Sequence, residues 1–163
     1  SDEDFKEKIS GPIYETNPGA ARFILTKIEE SENKTKEKFT DFWVRDNKNK
    51  YIWTIEHIFP QGTNIPQSWV DMVADGDRDM ANQYRFDYVH KLGNLTLTAY
   101  NSSLSNFSFQ DKRDHADKEN KLIGYKNGLY LNQDLAKKDE WKVDDILKRT
   151  DLLVEKAMKL FKI

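Results

Sequence analysis

From Leu92 to Gln110 the chain runs through 19 residues without an Asp, Glu, Lys or Arg. The protein as a whole is 33% charged, so about six charges would be expected there from composition alone. The run is nevertheless rich in Asn, Ser and Thr, which an ordinary surface helix is not. It predicts a buried strand that leads into a polar segment facing something other than bulk water.

A second apolar run, Tyr51 to Ile55, ends in Glu56-His57, and Pro60 stops it three residues after the histidine. Hydrolysis of a phosphodiester needs an activated water, a cation to neutralise charge on phosphorus and a stabilised leaving oxygen. His57 suits the base, because imidazole titrates near neutrality and is easily tuned. A hard divalent cation such as Mg²⁺, with Mn²⁺ as a substitute, takes oxygen ligands and keeps several waters. The Glu56 carboxylate and the Asn101 amide oxygen would supply two of them. Asn94 would hydrogen-bond the backbone of the His57 loop and hold the imidazole in aim. Neighbours on a strand point to opposite faces, so Glu56 and His57 can share one site only if the strand twists or ends there.

The rest of the chain reads as α+β. Asn17 caps a helix that starts with Pro18, and Ala21, Ile24, Leu25 and Ile28 fall on one face, which predicts a helix over 18–32. Asn33 to Lys38 reads as charged and exposed. Phe42–Val44 and Tyr51–Trp53 flank a turn between two expected strands, the first of which could instead be helical. The excursion Gln61–Asp87 holds short helices around Trp69–Val73 and Arg78–Tyr88, 102–121 reads as helical, and Gly124–Gly128 as a turn. Apolar residues at helical spacing from Val143 to Phe161 predict a long closing helix over 143–162, with Asp144 and Asp145 at its start and Lys159 and Lys162 at its end. The expected architecture is one domain over 1–163: two short antiparallel strands and a helix within 50–121, wrapped by helices from both ends.

Composition narrows the partners. At 163 residues, 37% apolar and 12% aromatic, the chain is long enough for a real core. No apolar run approaches the ~20 residues of a membrane span, and the acidic opening Ser1-Asp2-Glu3-Asp4 is no signal peptide, so a cytoplasmic place is expected. Without cysteine there is no disulfide and no thiolate zinc site. A net charge of −2 is not that of an independent DNA binder. Either another domain would hold any nucleic acid this chain acts on, or its basic residues cluster on one face.

Taken together, Ile55-Glu56-His57-Ile58-Phe59-Pro60-Gln61, Leu92-Gly93-Asn94-Leu95-Thr96-Leu97 and Asn101, with Phe109 and Lys112 after it, resemble the HNH, or His-Me finger, nucleases. More narrowly they resemble the C-terminal domain of GmrSD-type restriction endonucleases. The opening helix around Arg22-Phe23-Ile24-Leu25 and the tail from Trp141 through Arg149-Thr150 to Leu160 share that resemblance, which covers nearly the whole chain. It implies a ββα-metal core and a metal-dependent phage-defence endonuclease acting on DNA, often modified DNA. It also implies a parent protein in which an N-terminal ParB-like nucleotide-hydrolysing domain precedes this one. By the same resemblance His57 is the general base, Asn94 the central Asn of the motif, and Glu56 and Asn101 the metal ligands. Glu56 stands where many such sites have Asp, and the separation of His57 from Asn94 is longer than in compact HNH domains.

Each residue also has a plainer role. His57 could be structural, Asn94 a turn residue after Gly93 and Asn101 a helix cap. Lys112 is a surface lysine by default, with a substrate phosphate as the alternative. His90 and His115 are expected to be structural or exposed, and the tryptophans to serve packing. Other functional classes are a catalytically silent DNA-binding or protein-docking module, and a nuclease acting on RNA.

Overall fold

The computed structural model describes residues 1–33 and 40–162. It opens with two helices that the periodicity reading did not predict. Helix α1 (Asp2–Ser10) is started by a capping box, in which the Ser1 hydroxyl accepts from the Asp4 amide and the Asp4 carboxylate returns the bond. A single turn, α2 (Ile13–Thr16), follows. Helix α3 (Pro18–Glu32) has the predicted bounds. Asn17 caps it through a 3.0 Å bond from the Ala20 amide, and Pro18 occupies its first position, where a missing N–H costs nothing. Of the expected exposed stretch Asn33 to Lys38, residues 34–38 lie outside the described residues.

The sheet has two strands, β1 (Thr54–His57) and β2 (Leu95–Thr98), and they are antiparallel. Their register pairs Ile55 with Leu97, Glu56 with Thr96 and His57 with Leu95. All four residues of β2 are buried, which accounts for the first half of the uncharged run. Between the strands lie α4 (Gln67–Ala74) and α5 (Arg78–Tyr88), where helices were expected. After β2 come α6 (Asn101–Leu104), α7 (Phe109–Asp114), α8 (Gln133–Ala136) and the closing helix α9 (Val143–Leu160).

Two expectations change. The strands expected at 42–44 and 51–53 reduce to a single bridge between Arg45 and Tyr51. There Asp46 folds the turn on itself, accepting from the Lys48 and Lys50 amides. The continuous helix expected over 102–121 is broken after Leu104. Ser108 turns its side chain to the Asp111 amide and begins a new helix instead of continuing the old one.

Two apolar clusters flank the sheet. One joins α1, α3 and α9 to β2 through Ile9, Ile24, Ile28, Leu97 and Leu153. The other, built on Phe59, Trp69, Phe109, Tyr125 and Trp141, packs the excursion against α7. Phe59 stacks on Trp69, and Phe109 on Trp141. The end of β1 lies at the junction, since Ile55 packs against the first cluster and Ile58 belongs to the second. The excursion that separates the two motif segments in sequence therefore forms a core of its own beside them.

Candidate active site

The site is built on the last two residues of β1. The strand stops at His57 because the next amides turn to Asn94. The Ile58 amide donates to the Asn94 carbonyl at 2.9 Å, and the Phe59 amide to the Asn94 side-chain oxygen at 2.9 Å. The same side chain donates through Nδ2 to Phe59 O at 3.0 Å and to Val89 O at 2.9 Å, and Oδ1 also accepts from the Trp141 indole. Asn94 is fully buried, so an amide with donors and acceptors all engaged is what that position requires. It braces the loop after His57, as expected from the sequence.

Helix α9 locks the turn that carries Asn94. The Arg149 guanidinium, buried, donates to the carbonyls of Gly93 and Leu95 at 2.7 Å each and to Leu131 O at 3.0 Å. Burial pulls it down to about 10, which leaves it charged at neutral pH. The Thr150 hydroxyl accepts from the Gly93 amide. Position 93 must be glycine because a Cβ there would meet Ile146 O and the backbone nitrogen of Thr150.

Glu56 points into the protein. Its Oε1 accepts from Lys112 Nζ at 2.6 Å and its Oε2 from the Tyr125 hydroxyl at 2.6 Å. Lys112 also donates to the carbonyls of His57 (2.9 Å) and Ile58 (3.0 Å) and is 0% exposed. Burial lowers the Lys112 ammonium below its ordinary value, opposed by the Glu56 charge, and raises the Tyr125 phenol well above its own. This corrects the expected phosphate contact of Lys112: an ammonium with three internal acceptors and no exposed surface cannot reach a phosphate. Its place is to hold the backbone on which His57 sits.

A cavity of about 430 Å³ opens over this end of the sheet, lined in part by Glu56, His57, Asn101, Ser102, Ser105 and Asn106. The polar second half of the uncharged run therefore faces a cleft. Glu56 and His57 both border it, although their side chains turn to different partners, Glu56 to Lys112 and Tyr125 and His57 to His90 and Tyr14. Asn101 is the first residue of α6, and its Nδ2 donates to Ile55 O at 3.0 Å, while its Oδ1 has no partner among the described residues. His57 is only 6% exposed. Burial chiefly, then His90 and Lys112, lowers its pKa to about 3, so the ring is neutral at physiological pH.

His90, expected to be structural or exposed, lies instead against the site. Its Nδ1 is 3.2 Å from His57 Nε2. The signal available was its position four residues before Asn94, at the edge of the motif. His115 sits elsewhere, edge-on to Phe107.

Of the two expected ligands, Asn101 carries an amide oxygen with no partner among the described residues. Glu56, by contrast, is 1% exposed with one oxygen on Lys112 and the other on Tyr125, so it could take a hard cation only through its remaining lone pairs. Both residues border the same cavity. Among the described residues no three His, Cys, Asp or Glu side chains cluster as a metal cage would require, so water and substrate oxygens would complete any coordination shell.

No curated protein and no solved structure matches the chain. Among the described residues no helix is long and apolar enough to cross a membrane. Residues 1–156 match the family described as GmrSD restriction endonucleases, C-terminal domain. With that match spanning nearly all of its 163 residues, the chain belongs to the GmrSD C-terminal domain family.

Proposed function

We propose that this domain is an HNH-type, metal-dependent endonuclease that hydrolyses phosphodiester bonds of DNA, with His57 as general base. The observation that carries this reading is the neutral imidazole of His57 bordering a polar cavity beside Glu56 and Asn101, at the end of a strand paired with the one that follows Asn94. Strand β1, strand β2 and α6 supply the ββα order of such sites.

In the reaction, water attacks phosphorus while His57 takes its proton and becomes imidazolium; the P–O bond to the leaving sugar oxygen breaks, and that oxygen takes a proton from solvent. Burial opposes that cation in the free protein. A phosphodiester beside the ring carries the opposite charge and favours it. Asn94 holds the Phe59 backbone and Lys112 the His57 and Ile58 carbonyls, so the ring is fixed before substrate arrives, which is where much of the rate of such reactions originates. Glu56 and Asn101 are the residues that would hold Mg²⁺ or Mn²⁺. Such an ion would supply neutralisation of charge on the phosphoryl and departing oxygens.

The net charge of −2 supports a division of labour. A preceding ParB-like nucleotide-hydrolysing domain would hold the DNA, in a phage-defence setting, and this domain would cut it. The test is conversion of supercoiled plasmid to nicked and linear forms with Mg²⁺ or Mn²⁺, and its arrest by EDTA. Cleavage that persists in EDTA, or none with either ion, overturns the proposal.

A further inference from the structure

His57 and His90 stand 33 residues apart in sequence, and their rings meet through one hydrogen bond, Nε2 to Nδ1 at 3.2 Å. Two neutral imidazoles share one proton across such a bond, so one ring donates and the other accepts. Among the described residues this is the only side-chain hydrogen bond of His57, which leaves its Nδ1 without a protein partner.

We infer that His90 is a positioning residue for His57: its Nδ1 accepts the Nε2–H of His57, holds that ring in the tautomer whose Nδ1 lone pair is free, and aims that nitrogen into the cavity. This rests on the reading of His57 as the base.

The surroundings of His90 suit the task. Tyr14 stands edge-on to His57, ring centroids 4.4 Å apart at 88°, and stacks on His90 at 5.4 Å and 18°. The Tyr14 amide donates to the His90 carbonyl at 3.2 Å. The single turn α2 thus grips His90 by ring and by backbone. Asn94 joins the two histidine segments from the other side, since its Nδ2 bonds Phe59 O, two residues after His57, and Val89 O, one residue before His90. A shift of either segment would break a bond to the same amide.

The direction of the bond decides whether His57 can work. If His90 accepts, His57 carries its proton on Nε2, and Nδ1 can take one from water. The imidazolium so formed still donates to His90 through Nε2, so the partner that fixes the ring also stabilises the product of proton transfer. If His90 donated, His57 would carry its proton on Nδ1 and present no base to the cavity. A carboxylate could do the same job. Among the described residues, however, no carboxylate bonds either nitrogen of His57, because the nearest one in sequence, Glu56, is held by Lys112 and Tyr125.

The experiment compares metal-free, ¹⁵N-labelled full-length wild type, His90→Asn and His90→Leu by two-bond ¹H–¹⁵N correlation near neutral pH, where each tautomer has its own pattern. The chain has 3 histidines, so assignment by substitution is direct. Wild type should show His57 protonated at Nε2. His90→Asn should retain that state, because the Asn Oδ1 can occupy the acceptor position of Nδ1, and His90→Leu should lose it. Plasmid cleavage should follow: kcat falls about 10–100-fold in His90→Leu with KM little changed, and His90→Asn recovers most of it. Wild-type His57 protonated at Nδ1, or an unchanged His57 pattern in His90→Leu, overturns the inference. If His90→Leu fails to fold, the wild-type tautomer and the His90→Asn rescue still decide. A wild type with the expected tautomer but no cleavage with any divalent ion overturns the nuclease reading instead, and leaves the bond direction supported.

Discussion

Replacing Lys112 by methionine tests how the His57 backbone is held. The wild-type ammonium is completely buried and donates to Glu56 Oε1, His57 O and Ile58 O at 2.6, 2.9 and 3.0 Å. Methionine matches its length and flexibility, so the change removes charge and donors without opening a large void. It leaves the Glu56 carboxylate in the interior with only the Tyr125 hydroxyl. Removing one partner of a buried pair costs about 3–5 kcal/mol. Each orphaned carbonyl would add about 1–3 kcal/mol if counted separately, but these losses overlap. The expected destabilisation is therefore about 3–5 kcal/mol, read as a lower urea midpoint at unchanged slope. Adding Glu56→Gln to Lys112→Met should recover at least about 1 kcal/mol relative to the sum of the single changes, because the uncompensated charge is gone. Mn²⁺ should also bind Lys112→Met more tightly than wild type, since a cation no longer competes for Glu56. A Lys112→Met protein within about 1 kcal/mol of wild type would show that the buried ammonium does not hold this strand end.

Gly93→Ala should destabilise by about 1–3 kcal/mol or more, since its Cβ would press on Ile146 and Thr150 of α9; a urea midpoint equal to that of wild type would contradict this. In the metal-free protein His57 titrates near 3, below its ordinary 6.5. Between those values the unfolded chain binds the proton and the folded one does not. This contribution to stability is thus fully present above about pH 6.5 and lost as pH falls, by up to about 1.4 kcal/mol per pH unit. Urea unfolding from pH 7 to 4 should show a shallower decline in His57→Asn than in wild type, and parallel curves would count against the buried neutral ring. DNA binding by the chain alone should be weak, salt-sensitive and without sequence preference, and nanomolar site-specific binding at physiological salt, measured by fluorescence anisotropy, would contradict it.

The legible parts of this fold are those set by local signals. Asn17-Pro18 and the spacing Ala21, Ile24, Leu25, Ile28 define α3 to the residue, and the Val143–Phe161 periodicity defines α9. The antiparallel pairing of the Glu56-His57 segment with the segment after Asn94 follows from two apolar runs ending in polar motifs. What could not be read depends on distant partners. A lysine is exposed by default, and Lys112 is buried only because Glu56, 56 residues earlier in the chain, and two strand-end carbonyls meet it. His90 looked peripheral because its partners, His57 and Tyr14, come from other elements. The break after Leu104 turned on Ser108, whose side chain can either cap a new helix or sit in an old one.

On the proposed mechanism, His57 takes the proton from the attacking water. The most direct measurement is single-turnover cleavage of plasmid DNA with protein in excess and Mg²⁺ saturating, wild type beside His57→Ala. Loss of the base should lower the rate by about 10²–10⁴-fold in the variant, with unchanged circular dichroism. A variant that is equally well folded and cleaves at the wild-type rate would contradict it.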